Sequence, residues 1–199
     1  DIDLNIMKPG QDLTDVTCRV LTSLRDVLQA EKPQWVLVQG DTTSTMAGAL
    51  AAFYHNVKIG HIEAGLRTWN MHAPWPEEMN RRVSTILADL HFPATERAAL
   101  RGRPTALAAT HFRNEGVPAD RMLLTGNTVI DALLTVVDRV RNETALSQEM
   151  AAKFSMLDKS RRKVLVTGHR RENFGGGFES ICRAIRALGE RGDLQLIYP

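Results

Sequence analysis

The sequence is poor in the features that mark disulfide-rich, zinc-binding and membrane-spanning proteins. Its 199 residues include only two cysteines, Cys18 and Cys182, which are far apart and form no CxxC pair. A disulfide framework or a zinc site is therefore not expected, and a reducing cytoplasm is the natural compartment. No apolar run approaches the roughly 20 residues that a membrane helix needs. No signal peptide is visible in a chain that opens at Asp1.

An excess of one charge is also lacking. The chain has 25 Lys and Arg against 23 Asp and Glu, a formal net charge of +2, and the two signs are interspersed. This pattern builds no strong field for nucleic acid, so a nucleic-acid partner is not expected. The 43% of hydrophobic residues is ordinary for a globular protein.

Short apolar runs alternate with longer amphipathic ones along the whole chain. Strands are predicted at Trp35–Gln39, Val57–Ile62, Leu90–Ala94, Met122–Gly126, Lys163–Gly168 and Leu194–Tyr198. Helices are predicted at Leu13–Leu28, Thr42–Tyr54, Pro76–Leu90, Val129–Val140 and Phe178–Leu188. Strands that are apolar on both faces and separated by helices indicate parallel sheets with helices on both sides. The predicted fold class is therefore α/β, with doubly wound parallel sheets.

The same pattern suggests two domains. Residues 1–126 are interpreted as a partial N-terminal Rossmann-like domain, and residues 127–199 as a linker helix and the start of a second one. The second segment supplies only two strands, and a two-stranded unit is marginal by itself. The chain also stops at Pro199, directly after a strand, so we expect the rest of this domain to be missing. The charged joint over Arg141–Arg162 is predicted to be partly helical.

Titratable residues follow three of the predicted strands. Asp41 comes after WVLVQG, Glu63 after VKIGHI and His169 after KVLVTG. Ligands of open α/β sheets bind at the carboxyl ends of the strands, so these residues are candidates for a site. Asp41 has a simpler alternative role as the N-cap of the following helix.

A rigid loop precedes the helix predicted to begin at Pro76. Pro74, Trp75 and Pro76 deliver Glu77 and Glu78 to its first turn. Acidic residues there complement the helix dipole. We assign only this role to Glu78, whereas Glu77 fits either helix capping or catalysis.

A third group, His169, Arg170 and Arg171, lies just before the glycines Gly175–Gly177 and a helix. Cations and glycines at a helix N-terminus suit a diphosphate. The glycines do not form the GxGxxG pattern of a dinucleotide site, so no nicotinamide cofactor is expected. A solvated surface loop is the alternative interpretation.

The remaining histidines and aromatic residues carry weaker signals. His61 is expected to be buried and hydrogen-bonded near the site. A metal site at Asp41, His61 and Glu63 lacks the usual ligand spacing, so no metal is predicted. The other histidines are interpreted as structural or surface residues: His55, His72, His91 and His111. Trp35 and Phe53 are predicted to lie in the core, and Trp69 and Trp75 in a loop where they could frame a sugar ring.

Five segments together resemble the bacterial, non-hydrolysing UDP-N-acetylglucosamine 2-epimerases. They are VQGDTTSTMAGALAAFY, GHIEAGLRT, PWPEEMNR, LLTGNTVIDALL and VTGHRRENFGGGF, and the resemblance covers essentially the whole chain. It implies two Rossmann-like domains in the GT-B arrangement, a homodimer, and interconversion of UDP-GlcNAc and UDP-ManNAc for surface polysaccharides. It also implies that Asp41, Glu63 and Glu77 are the active-site carboxylates and that His169 contacts the substrate.

Epimerisation at C2 of a 2-acetamido sugar is a reaction for which several carboxylates in one site are useful. The C2 proton is not next to a carbonyl, and no nicotinamide site is visible for prior oxidation. The remaining route expels UDP from C1 and removes the C2 proton, which requires an acid and a base. Clustered carboxylates can supply both an acid and a base, because mutual repulsion drives the pKa values of neighbouring carboxyl groups apart.

The sequence departs from the family in three places. A GTRPE-like motif that would precede the chain and a Ser-Gly-Gly segment that would follow it are absent, and Thr95–Gly116 is longer than usual. We therefore expect this chain alone to bind substrate weakly and to be inactive. A hydrolysing relative, a GT-B glycosyltransferase and a non-catalytic sugar-nucleotide-binding module are the alternatives.

Overall fold

The computed structural model describes residues 1–94, 108–167 and 176–199. The chain divides into two compact units, Asp1–Ile130 and Asp131–Pro199. The predicted domain boundary between residues 126 and 127 stays a prediction. Both units contain parallel strands connected through helices, so the predicted α/β class is confirmed. No helix of the described residues is both long and apolar enough to cross a membrane.

The first unit carries a three-stranded parallel sheet in the order β1–β2–β3. Its elements are α1 (Leu13–Glu31), β1 (Trp35–Gln39), α2 (Thr43–Tyr54), β2 (Lys58–Ala64), α3 (Glu77–Leu87), β3 (Leu90–Pro93), α4 (Ala108–Asn114) and a 3₁₀ turn (Ala119–Arg121). α5 (Thr128–Asn142) begins in this unit and continues into the second. The predicted insertion falls partly outside the described residues, over 95–107.

Small side chains let α2 pack closely on the sheet. Ala49 and Ala52 are fully buried and form the core with Val38 of β1, Ile59 of β2 and Ala88. Upstream, α1 is capped at its start by a reciprocal pair of hydrogen bonds between Asp12 and Asp15, and its C-cap Lys32 adopts the left-handed conformation. The left-handed turn at Lys32 ends the helix three residues before β1 begins.

Two core predictions are wrong. Trp35 is 38% exposed and Phe53 is 54% exposed. β1 lies at the edge of the described sheet, and the face that carries Val38 packs against α2 whereas Leu37 is exposed. Lys58 extends over the Trp35 ring, 5.4 Å from its centroid. Phe53 is exposed on α2.

The predicted strand at Met122–Gly126 is also wrong. Only Met122 pairs with β3, through an isolated bridge to His91. The amides of Leu123 and Thr125 donate to the carbonyls of His91 and Pro93 at 2.9 and 3.3 Å. Pro93 has no N–H to return the next bond, so the ladder does not continue.

The second unit has two parallel strands. After α5 come α6 (Thr144–Lys153), β4 (Arg162–Leu165), α7 (Gly176–Gly189) and β5 (Leu194–Ile197), with β4 paired to β5. The helix α6 confirms the predicted partly helical joint. The predicted phosphate-contacting residues His169, Arg170 and Arg171 lie outside the described residues.

Candidate active site

Asp41 stands at the carboxyl end of β1, beside the end of β2. Gly40 adopts a φ of +75°, which turns the chain out of the strand. Its N–H donates to the carbonyl of Ile62 at 3.0 Å, so Asp41 follows directly on the last contact between the two strands. The alternative role of Asp41 as a helix cap is wrong. Thr42 is the N-cap of α2, and its Oγ1 accepts the Thr45 N–H at 3.2 Å.

The helix α3 holds Asp41 by both its side chain and its backbone. Arg81 Nε donates to Asp41 Oδ2 at 2.9 Å, and Arg81 Nη2 lies 2.7 Å from the same oxygen. Asn80 Nδ2 donates to the Asp41 carbonyl at 2.9 Å. The start of α3 is thereby fixed against the turn that follows β1.

Glu63 lies inside β2 and not after it. The predicted strand ended at Ile62, but β2 continues to Ala64 through a register shift between Ile62 and Ala64. Glu63 occupies that irregularity with a φ of +57°. A non-glycine residue in this conformation costs about 1–3 kcal/mol, and such strain concentrates at functional sites. Glu63 is partly buried and directly follows Ile62, whose carbonyl accepts the Gly40 N–H.

Glu77 is the first residue of α3, after a loop with cis bonds before Pro74 and Pro76. Pro76 provides no side-chain cap, as expected for a proline. Glu77 Oε2 is buried and has no hydrogen-bond partner among the described residues. The residue also lies one helical turn before Arg81, on the same side of α3. Asp41 and Glu63 thus lie at the carboxyl ends of the neighbouring strands β1 and β2, and Glu77 begins the helix that contacts Asp41. We call this end of the sheet, with these three residues, the carboxylate edge.

Glu78 has a different role from the one predicted. It is fully buried, and its carboxylate accepts the backbone amides of Thr68 and Trp69 at 3.0 and 3.2 Å. It also accepts a hydrogen bond from Arg81 Nη1 at 3.1 Å. Its side chain thus binds the preceding loop instead of only complementing the dipole of α3.

His61 binds the turn at Gly40 that immediately precedes Asp41. Its side chain is buried, and Nε2 lies 2.8 Å from the Gly40 carbonyl, which assigns the proton to Nε2. Burial lowers the pKa of His61, although the bond to Gly40 acts in the opposite direction. The prediction of a buried, hydrogen-bonded histidine is confirmed. Within the described ranges, no group of three or more His, Cys, Asp or Glu could hold a metal ion.

A second buried ion pair fixes the loop between β2 and α3. Arg67 is 6% exposed and binds Glu115 through Nε and Nη2 at 2.8 and 2.7 Å. Arg67 Nη2 also donates to Thr85 Oγ1 of α3 at 2.6 Å. Sequence reasoning missed this pair, because 48 residues separate its members. Arg67 lies in the GHIEAGLRT segment, which carries a signal only through the family resemblance.

A cavity of about 530 Å³ opens elsewhere, between α3 and the turn after α4. Arg82, Ile86, His91 and Arg121 are among its lining residues, and the three predicted carboxylates are not. This cavity is therefore not the site formed by the three predicted carboxylates.

Comparison with known proteins gives this edge a context. The family model for UDP-N-acetylglucosamine 2-epimerase matches residues 1–199. The chain belongs to the UDP-N-acetylglucosamine 2-epimerase family.

Relatives and solved structures agree with this membership. The UDP-N-acetylglucosamine 2-epimerase of Escherichia coli K12 is 48% identical over 100% of this chain and 50% of its own length. That of Yersinia pestis is 47% identical with the same coverage. The UDP-GlcNAc 2-epimerase of Neisseria meningitidis bound to UDP-GlcNAc has a TM-score of 0.89 and 42% identity, over 100% of this chain and 51% of its own. The Methanocaldococcus jannaschii enzyme in complex with UDP-GlcNAc and UDP has a TM-score of 0.77 and 28% identity, over 98% and 49%.

This epimerase-family chain spans about half the length of the curated relatives that it matches. Membership of the UDP-N-acetylglucosamine 2-epimerase family, predicted from the sequence motifs, is thus confirmed. The roles of Asp41, Glu63 and Glu77 in a reaction stay predictions, although the structure shows where each of them stands.

Proposed function

We propose that the protein carrying this chain interconverts UDP-GlcNAc and UDP-ManNAc by reversible epimerisation at C2. The observation that carries the proposal is the arrangement at the carboxylate edge, where Asp41 follows β1, Glu63 lies at the end of β2, and Glu77 begins the helix α3 that binds Asp41 in its next turn. Family membership supplies the substrate class, since relatives from two organisms were solved with UDP-GlcNAc bound.

The reaction proceeds by elimination and re-addition of UDP. The C1–O bond to the diphosphate breaks, UDP leaves with the bonding electron pair, and a carboxylate takes the proton from C2. The product is a 2-acetamidoglucal with a C1–C2 double bond. A carboxyl group then delivers a proton to the opposite face of C2, and the diphosphate oxygen re-forms the bond to C1. Acid–base assistance of this kind is worth about 10²–10⁴-fold per group.

The contacts of each carboxylate suggest a division of work. Asp41 is held by Arg81 through one carboxylate oxygen, and we propose that it is the base that takes the C2 proton. Glu77 Oε2 is buried without a partner among the described residues, and we assign Glu77 to the proton delivery on the opposite face. Glu63, on the strained turn of β2, organises the edge or shares the proton. We propose that His169 with Arg170 or Arg171 takes up charge on the departing diphosphate.

Incubation of the intact enzyme with UDP-GlcNAc in D₂O tests the proposal directly. We expect UDP-ManNAc to form and deuterium to appear at C2 of both sugar nucleotides by NMR. Release of free ManNAc and UDP would indicate a hydrolysing enzyme, and binding without any exchange would indicate a non-catalytic module. A glycosyltransferase would require an acceptor and would leave C2 unlabelled.

Substitution of Asp41 tests the assignment of the base. Asp41→Asn keeps the size of the side chain and removes its charge, so deuterium incorporation at C2 should fall by about 10²-fold or more. Incorporation at the wild-type rate would contradict the role of Asp41. A homodimer, a cytoplasmic location and a supply of UDP-ManNAc for surface polysaccharides are further expectations of this proposal.

A further inference from the structure

Arg81 occupies only one of the two oxygens of Asp41. Its Nε and Nη2 both approach Oδ2, at 2.9 and 2.7 Å. Asp41 Oδ1 has no hydrogen-bond partner within the described part of the chain. Because the Asp41 side chain is 30% exposed, this second oxygen belongs to a carboxylate that solvent and ligands can reach.

The guanidinium of Arg81 is also bound by Glu78. Both residues lie on α3, three positions apart, and Arg81 Nη1 donates to Glu78 Oε2 at 3.1 Å. The Glu78 carboxylate is fully buried and also accepts the amides of Thr68 and Trp69. The guanidinium is therefore held between a buried carboxylate, anchored on the backbone, and Asp41. Its planar fork cannot rotate without breaking one of these bonds.

We propose that Glu78 and Arg81 are positioning residues of the epimerase site, which turn Asp41 Oδ2 toward α3 and leave Oδ1 to exchange the proton with C2 of the sugar. Neither residue reacts, and both act through Asp41. This inference rests on the proposed function, because it assigns Asp41 to the proton transfer.

Geometry explains why such positioning matters. A base must place its lone pair on the line of the C–H bond, and a displacement of about 1 Å can cost about 10²-fold in rate. Electrostatics alone would need only a positive charge near Asp41. The guanidinium fork of Arg81 also fixes the orientation of Asp41, because it binds the carboxylates of Asp41 and Glu78 at the same time. A lysine at this position keeps the charge and loses the fork.

Arg81→Lys in the intact enzyme separates these two contributions. We expect the kcat of epimerisation and the rate of C2 deuterium incorporation to fall by about 10- to 100-fold. The KM for UDP-GlcNAc should stay within about threefold, because the substrate is not bound by Arg81. The matched control is Arg82→Lys, at the next residue of α3, where Arg82 Nη1 donates to Met71 Sδ at 3.4 Å. This control should keep the wild-type kcat.

Two results would overturn the proposal. One is wild-type kcat in Arg81→Lys, and the other is a rise in KM with kcat unchanged, which would make Arg81 a binding residue. Near-ultraviolet circular dichroism checks that each variant is folded.

The partner variant Glu78→Gln asks whether the two residues act as one unit. Its amide group places a donor where Glu78 only accepts. The double variant should be no more than about threefold slower than the slower single variant, because residues that work as a unit are not additive. Multiplicative losses would contradict a shared role. Should Glu78→Gln not fold, Arg81→Lys decides by itself.

An activity-independent measurement separates this inference from the proposed function. In intact protein with ¹⁵N-labelled arginine, the Nε–H of Arg81 should exchange slowly with solvent, and Asp41→Ala should make it fast. Asp26→Ala, which removes the exposed partner of Arg25, should leave it unchanged. A wild type without epimerisation or C2 exchange refutes the function alone. An Arg81 signal that does not respond to Asp41→Ala refutes the positioning.

Discussion

The two compact units use charge in opposite ways. In Asp1–Ile130, Arg67 and Arg81 have side chains that are 0% and 12% exposed, and each is bound by a carboxylate from another turn or element. In Asp131–Pro199, the described ion pairs are exposed and join residues two to four positions apart, such as Arg139 with Glu143. Buried pairs require exact partners, whereas exposed pairs contribute little. The buried ion pairs of the first unit therefore hold its loops and helices in place. The exposed ion pairs described in the second unit contribute little to its stability.

Removal of the Arg67 charge should give the largest loss of stability. Arg67→Met keeps the length of the side chain but leaves Glu115 without its partner, and breaking a buried pair costs about 3–5 kcal/mol of unfolding free energy. All three tryptophans of the chain lie in the first unit, so urea unfolding followed by tryptophan fluorescence reports on that unit. Arg82→Met on α3 is the matched control. A loss no larger than the ~1 kcal/mol of an exposed pair would remove the contrast between the units.

Acidification should weaken the first unit through His91. Burial, followed by the charges of His61, Arg67 and Arg121, lowers the pKa of His91 to about 4. The unfolded chain takes up this proton near pH 6.5, whereas the folded chain does so only near pH 4. Stability is thus complete above about pH 6.5 and is lost progressively toward pH 4, by up to about 3 kcal/mol.

Unfolding free energies measured by urea at several pH values check this expectation. His91→Gln should flatten the decline between about pH 6.5 and 4.5, although the lowered pKa of His61 leaves part of it. The exposed His72 provides the control, since His72→Gln should leave the slope as it is. A wild-type curve without a decline over this range would show that burial does not hold His91 neutral.

The sequence predicted features that depend on neighbouring residues. β1 was predicted to the residue, because its apolar run ends at Gly40, which must turn. The place of Asp41 at a strand end followed from the same run. Long-range partners gave no local signal: Arg81 lies 40 residues from Asp41, and Arg67 lies 48 from Glu115. Glu78 was assigned to the helix start because its real partners are backbone amides, which every sequence contains.

The N-cap of α2 offers a smaller test of the Asp41 turn. Thr42→Ala removes the hydroxyl that accepts the Thr45 N–H, and loss of such a cap costs about 1 kcal/mol. Thr43→Ala, inside the helix, is the control and should change stability little. The fluorescence assay in urea distinguishes the two. Equal losses would mean that Thr42 does not cap α2 and would reopen the capping role for Asp41.

The smallest effect is expected in the second unit, at Arg139. Its Nε donates to Glu143 at 2.9 Å, four residues along the chain, but the two side chains are 62% and 50% exposed. Water and salt screen such a pair, so Arg139→Gln should leave the thermal melting curve by circular dichroism unchanged within error. The Glu143→Gln variant should behave in the same way. A clear drop in melting temperature that disappears at high salt would show that surface charge also supports the second unit, and the contrast with Arg67 would then be one of degree.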